Sequence, residues 1–282
     1  MLKVKTLGDI QMLENSNPDS GDLPLFLSEH ETESVRHLHM SLKNYQPTPL
    51  VELRSLARRC GVKAILVKDE SKRFGLKAFK GLGGVYALCR VICQRLGLDY
   101  RTITIDRLLN SDVRQAISKM VFVTTTDGNH GKGISWAASL LGCKAYVYMP
   151  KGSVPARAQA IREAGNAEVE ILDVGYDDAV RYAAKMAEEH GWTLVQDTSW
   201  PGYEEVPSWI IQGYTTMVYE SLQQMQQLGY ERPTHVFLQA GVGAMAGGVL
   251  GALKCVYQND LPCVSIVEPA EVACIFESVR HN

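Results

Sequence analysis

The order of the apolar runs constrains this chain most. Six short, β-branched runs, Val121–Thr125, Ala145–Met149, Val169–Leu172, Thr193–Val195, Val236–Leu238 and Val264–Val267, are interleaved with segments of helical period at Gly133–Leu141, Ala156–Ala164, Asp177–His190, Ile210–Leu228 and Ala244–Val256. Strands that are apolar on both faces need cover on both, and crossover helices supply it, so the pattern predicts parallel sheets covered by helices and an α/β fold class. An apolar run at Val62–Val67 and a glycine-containing helical stretch at Phe79–Leu96 come earlier. Residues 1 to about 45 are polar without a sustained period, and Asn15–Pro24 reads as a loop or arm. Sheets of this kind bind ligands at the carboxyl ends of their strands, which directs attention to the loops after Thr125, Val195 and Gln239.

Charge narrows the choice of partner. Twenty-nine Lys and Arg against 31 Asp and Glu leave a formal charge of −2, no excess with which to hold a nucleic-acid backbone or an anionic membrane. A small molecule is expected instead. The seven cysteines (Cys60, Cys89, Cys93, Cys143, Cys255, Cys263, Cys274) form no C-x-x-C pair and fall mostly in apolar runs, which reads as reduced, buried thiols of a cytoplasmic protein. The N-terminal stretch has neither an apolar h-region nor a small-residue cleavage site, and Val236–Leu253 is interrupted by Gln239 and five glycines, so neither a secretory signal nor a spanning helix is expected.

Four constellations carry candidate chemistry. Gln239–Gly248 is a glycine-rich turn between a strand and a helix, suited to a phosphate because backbone N–H groups and the helix amino end converge there. It lacks the Lys-Ser/Thr of a Walker loop; a dinucleotide site with Glu268 on the ribose, or simply close helix–strand packing, also fits. Thr124–Gly133 places Asp127, Asn129 and His130 at a strand end, where they meet a ligand or build an Asx-turn and helix cap. No metal-ligand spacing accompanies them. In Arg73–Gly84, Lys80 stands among apolar and glycine residues, where desolvation lowers a lysine pKa and favours the neutral amine that attacks an aldehyde; Lys77 competes for the role, and a snorkelling lysine is the plain alternative. In Gln196–Tyr214, Asp197 ends a strand beside aromatic residues, as a tuned proton acceptor or a helix cap.

A lysine, a phosphate cradle and strand-end acids together point to pyridoxal phosphate more than to a nicotinamide. These four blocks resemble, in order and spacing, the motifs of the diaminopropionate ammonia-lyases, pyridoxal-phosphate enzymes of the tryptophan-synthase-β fold type (fold type II), and the resemblance runs from Pro47-Thr-Pro-Leu50 to Val267-Glu-Pro269. It implies a two-domain α/β fold, with residues 71–197 as a smaller domain between segments 1–70 and 198–282 of a larger one. It also implies that Lys80 holds the cofactor, that Asn129 meets the ring hydroxyl, and that Gly241, Val242, Gly243, Ala244 and Met245 form the phosphate loop. Asp127 and Asp197 become the catalytic acid/base pair, one for each enantiomer of 2,3-diaminopropionate, which is degraded to pyruvate and ammonia by a cytoplasmic homodimer. A serine/threonine-type dehydratase of the same fold and a cofactor-binding protein with little catalysis are the alternatives.

Two departures from the family pattern stand out. Lys77 occupies a position where the family usually has Asn, which puts a cation one turn from Lys80. The sequence ends at Asn282, where the family continues with further strands and the polar residue that meets the pyridine nitrogen. The expectation is a larger domain without its C-terminal part, an uncovered apolar face on Ala244–Val256, weak cofactor binding and poor turnover.

Overall fold

In the computed structural model, which describes residues 4–15 and 22–281, the strand and helix runs fold in the order the pattern predicts. Strands β1 (Val4–Leu7) and β2 (Ile10–Leu13) pair antiparallel, and a 3₁₀ turn at Leu25–Leu27 leads into helix α1 (Glu29–Met40). A second antiparallel pair, β3 (Leu50–Glu52) and β4 (Leu66–Lys68), flanks α2 (Arg54–Cys60) and is followed by α3 (Lys80–Leu96), α4 (Ile105–Leu109) and α5 (Ser111–Ile117). The chain then alternates through β5 (Val121–Thr125), α6 (Asn129–Leu141), β6 (Lys144–Met149), α7 (Pro155–Gly165), β7 (Glu168–Ile171), α8 (Tyr176–His190) and β8 (Thr193–Leu194). These strands form one parallel sheet in the order β7-β6-β5-β8. Helices α9 (Glu205–Tyr214) and α10 (Thr216–Gln227) precede β9 (His235–Gln239), α11 (Ala244–Tyr257), β10 (Cys263–Val267) and α12 (Cys274–His281), with β9 and β10 paired parallel.

Strand β5 is central and buried from Phe122 to Thr125, so its run lacks polar alternation. Its buried hydroxyls are satisfied: Thr125 donates to the Ala179 carbonyl at 3.0 Å and Thr124 to Gln196 Oε1 at 3.2 Å. Helices α3 and α6 meet glycine on glycine. A Cβ on Gly133 would lie 2.8 Å from the Lys80 carbonyl oxygen, and one on Gly84 would lie 3.1 Å from that of Gly133. The glycines of these two motifs therefore let the helix backbones touch, which seats Lys80 beside the end of β5. On the other flank of α3, a Cβ on Gly213 of α9 would lie 2.6 Å from the Cα of Gly83.

Arg73, the first residue of the lysine motif, belongs to the core. Its guanidinium lies 2.7 Å from Glu220 Oε1 and 2.7 Å from Glu70 Oε1, and Lys68 Nζ lies 2.7 Å from Glu220 Oε2. Two cations and two carboxylates thus neutralise one another out of water and tie the segment before Lys80 to α10.

The structure corrects several expectations. Part of the loop expected at Asn15–Pro24, residues 16–21, lies outside the described residues. The polar N-terminal stretch is no arm throughout, because α1 buries Val35 and Leu38. Its period is hidden by polar residues with buried partners. Thr32 pairs with the Tyr219 hydroxyl at 2.8 Å, and His39 pairs with Thr216 Oγ1 at 2.7 Å and the Leu82 carbonyl at 3.1 Å. The single helix expected at Ile210–Leu228 is split at Thr215, whose hydroxyl donates back to the Gln212 carbonyl. Helix α11 is covered on one face, where Ala246, Val249, Ala252 and Leu253 are buried against α9, α10 and the Leu25–Leu27 turn, while Leu250 and Val256 remain exposed as expected. The seven thiols are free, but Cys60, Cys263 and Cys274 are exposed. Among the described residues no helix is long and apolar enough to cross a membrane, and no group of three or more His, Cys, Asp and Glu could hold a metal ion.

Candidate active site

The ends of β5 and β8, the start of α3 and the turn after β9 face one open cleft of about 1160 Å³. Seven sequence-named candidates line it: Lys80, Asp127, Asn129, His130, Asp197, Gly241 and Val242. Gly243, Ala244 and Met245 are not among the lining residues and form the turn and first helical residues behind them. Lys77 is exposed at a backbone φ of 58° and does not line the cleft, so the geometry favours Lys80 over its competitor.

Local chemistry shapes each wall. At the end of β5, Thr126 Oγ1 accepts from the N–H groups of Gly128 at 2.9 Å and Gly131 at 3.1 Å. Thr126 therefore caps α6, a task the sequence suggested for Asp127 and Asn129, and those two side chains are left at the cleft wall. At the end of β8, the fully buried Gln196 ties three segments together. Its Oε1 accepts from Thr125 N at 3.0 Å, its Nε2 donates to the Tyr176 hydroxyl at 3.0 Å, and its backbone N–H donates to the Tyr203 hydroxyl at 2.9 Å. Tyr203 in turn donates to the Leu194 carbonyl at 3.0 Å. Asp197, the next residue, is held by this frame.

Lys80 Nζ lies 2.6 Å from Asp197 Oδ2, with side-chain exposures of 21% and 9%. Burial by itself lowers the lysine pKa, as expected from its apolar surroundings, but Tyr214 and Asp197 outweigh it and the net shift is upward. The expectation of a neutral amine is thus overturned by a carboxylate that packing brings alongside. Asp197 mirrors this: burial raises its pKa, His130 and Lys80 lower it, and it settles at about 2. The pair is an ammonium and a carboxylate at neutral pH.

Tyr176 and Arg157 also line the cleft. Nothing in the sequence marks Tyr176 or Arg157, which open and follow ordinary helix starts; Arg157 reaches the site by donating to the Asp127 carbonyl at 3.2 Å. His130 stood in a flagged motif without a role.

The donor set suits pyridoxal phosphate. A lysine amine on the cleft wall can hold an aldehyde, and the amino end of the 14-residue α11 offers backbone N–H groups and positive potential to a phosphate. Gly243 makes this turn at a φ of 93°, in the left-handed region, and an added Cβ would lie 3.1 Å from Ile275 Cδ1.

Comparison with known proteins agrees. The model of the pyridoxal-phosphate dependent enzyme family matches residues 42–282. Diaminopropionate ammonia-lyase of Escherichia coli strain K12 is 49% identical over 269 residues, covering 95% of this chain and 66% of that protein. The crystal structure of selenomethionine-incorporated holo diaminopropionate ammonia lyase from Escherichia coli has a TM-score of 0.85 at 47% identity, covering 93% of this chain and 65% of that one. The enzyme from Escherichia coli in complex with D-serine has a TM-score of 0.85 at 48% identity, covering 92% and 65%. The chain spans about 66% of the length of the curated relative. With fold type II architecture and a lysine, a glycine turn and two strand-end acids around one cleft, this chain belongs to the family of pyridoxal-phosphate dependent enzymes.

Proposed function

We propose that this chain, with pyridoxal phosphate bound, eliminates ammonia from D- and L-2,3-diaminopropionate, the remaining carbon skeleton adding water to give pyruvate and a second ammonia. The observation that carries the reading is the convergence of Lys80, Asp127 and Asp197 on one cleft, with Asp197 2.6 Å from the lysine amine. Bound there, the cofactor supplies an electron sink for the charge that develops at the substrate α-carbon. Lys80 is its attachment point, Asn129 meets the ring hydroxyl, and Gly241, Val242, Gly243, Ala244 and Met245 hold the phosphate. Asp197, ionised and shielded from water, accepts the α-proton of one enantiomer, and the exposed Asp127 accepts that of the other. The 49% identity over a stretch that covers 66% of a diaminopropionate ammonia-lyase supports this substrate. The reading extends to a cytoplasmic homodimer, with residues 71–197 as a smaller domain between two segments of a larger one.

A serine/threonine-type dehydratase is the second reading, favoured by the D-serine complex of a relative. Pyruvate and 2-oxobutyrate released from both enantiomers of diaminopropionate, serine and threonine decide between them. Faster turnover of diaminopropionate is expected; turnover of the hydroxy amino acids alone, or none by cofactor-loaded protein, overturns the proposal.

A further inference from the structure

His130 sits on the first turn of α6, 4% exposed, and its two ring nitrogens face different groups. Nε2 lies 2.9 Å from the Val195 carbonyl oxygen. A carbonyl can only accept, so Nε2 carries the proton and the neutral ring turns a bare Nδ1 the other way. Nδ1 has no hydrogen-bond partner. It faces Asp197 Oδ2 at 3.6 Å, the same oxygen that Lys80 Nζ approaches at 2.6 Å. A lone pair set against a carboxylate is repulsive, and the Lys80 ammonium is the charge that offsets it. Lys80 has the opposite difficulty: as an ammonium it cannot attack a carbonyl until it sheds a proton.

We propose that His130 is the proton acceptor that readies Lys80 for the cofactor, acting through Asp197. One N–H bond of the Lys80 ammonium breaks as its proton passes to Asp197 Oδ2, and the same proton moves on to form an N–H bond at His130 Nδ1. Lys80 is then a neutral amine, Asp197 is again a carboxylate, and His130 is an imidazolium paired with it. One proton has moved and no electrons have been gained or lost. His130 is thus a positioning and proton-holding residue that acts on the cofactor through Lys80 and Asp197.

The charged groups facing His130 are Asp197, after β8, and Lys80, at the start of α3; Tyr214 of α9 lies over Lys80 with its ring centroid 5.7 Å from Nζ. Burial lowers the His130 pKa, Asp197 raises it and Lys80 lowers it, with a net shift downward. His130 is therefore neutral while Lys80 is charged, and loss of the lysine charge favours its protonation.

Nitrogen-15 spectra of the histidine rings in the cofactor-free chain, with His130 assigned by His130→Asn, test this directly. The unaltered chain should show the Nε2–H tautomer at pH 8, and an Nδ1–H tautomer overturns the proposal. In Lys80→Met the His130 midpoint should rise by about one to three pH units, and in Lys80→Met combined with Asp197→Asn the rise should vanish. An unchanged midpoint in Lys80→Met also overturns it. A second measurement follows pyridoxal-phosphate uptake by absorbance in His130→Asn. The uptake rate should fall by about 10²-fold near pH 7 and recover as the pH approaches the lysine range. An equal loss at every pH would mark a merely structural role and sink the idea. Neither readout involves an amino-acid substrate, so failure here leaves the lyase proposal standing, and failure of pyruvate formation leaves this one standing.

Discussion

Gly133→Ala isolates the helix contact that seats Lys80. The added methyl would lie 2.8 Å from the Lys80 carbonyl oxygen, 2.9 Å from its carbonyl carbon and 3.1 Å from the Gly81 nitrogen. All three are backbone atoms, so no side chain can swing aside and α3 and α6 must part. Overpacking of this kind costs about 1–3 kcal/mol. Alanine in a helix interior returns about 0.5–1 kcal/mol relative to glycine, which partly masks the clash. Gly247→Ala is the matched control, because Gly247 lies within α11 and nothing approaches its added Cβ within 4 Å. The control keeps the helical gain without the clash, so the two variants should differ by about 1–3 kcal/mol in unfolding free energy, roughly 5- to 150-fold in the equilibrium constant. Urea unfolding followed by tryptophan fluorescence measures the difference, with equal slopes required for the comparison. Gly133→Ala should also reduce the pyridoxyl label fixed on Lys80 by borohydride, because the lysine moves with α3. If the two variants have the same midpoint and the same labelling, the glycine contact does not position the lysine and the reasoning fails.

Lys80→Ala should abolish the borohydride-fixed pyridoxyl label and Lys77→Asn should retain it; peptide mapping that places the label on Lys77 reverses the assignment. Asp127→Asn should impair D-diaminopropionate and Asp197→Asn the L isomer, each by about 10²–10⁴ in rate, and equal losses on both isomers would remove the two-base reading. The last prediction concerns acid. Burial holds the His39 pKa at about 3, whereas an unfolded histidine binds its proton near 6.5, so stability should fall as pH drops from about 6.5 toward 3. Glu220, which burial would raise and Arg73 lowers, stands at about 2, so its stabilisation is present above about 4.3 and is lost as pH falls through 2. Thermal midpoints against pH should therefore decline in two stages, and His39→Gln should shrink the upper stage, to which the buried His130 also contributes, and leave the lower one in place; a profile unaltered by that change refutes the assignment.

Much of this molecule was legible before folding. Strand β5 announces a parallel sheet because a strand buried on both faces has no polar alternation, and its neighbours lie between helical runs. The loops after β5, β8 and β9 could be named as ligand-binding because a strand end followed by glycine or by a run of polar residues is a local signal. The glycines of α3 and α6 were visible, but their task was not: they serve close packing of two helices as well as any turn. Helix α1 is hidden because Thr32, Ser34 and His39 occupy buried positions, Thr32 and His39 pairing with distant segments and Ser34 donating to the His30 carbonyl one turn back. The cap of α6 falls to Thr126, one residue before Asp127 and three before Asn129, which suit the role equally well by composition. The pKa shift of Lys80 runs opposite to the one its sequence neighbours predict. Its sequence neighbours are apolar and predict a lowered pKa, while the carboxylate that raises it comes from 117 residues away. The tautomer of His130 likewise depends on a carbonyl 65 residues distant. Periodicity and turn chemistry act between residues a few positions apart, so the order of residues alone determines the elements and the loops that carry the chemistry. Protonation follows charge separations of a few ångströms between partly buried groups, and only the packing of α3, α6 and β8 decides those distances.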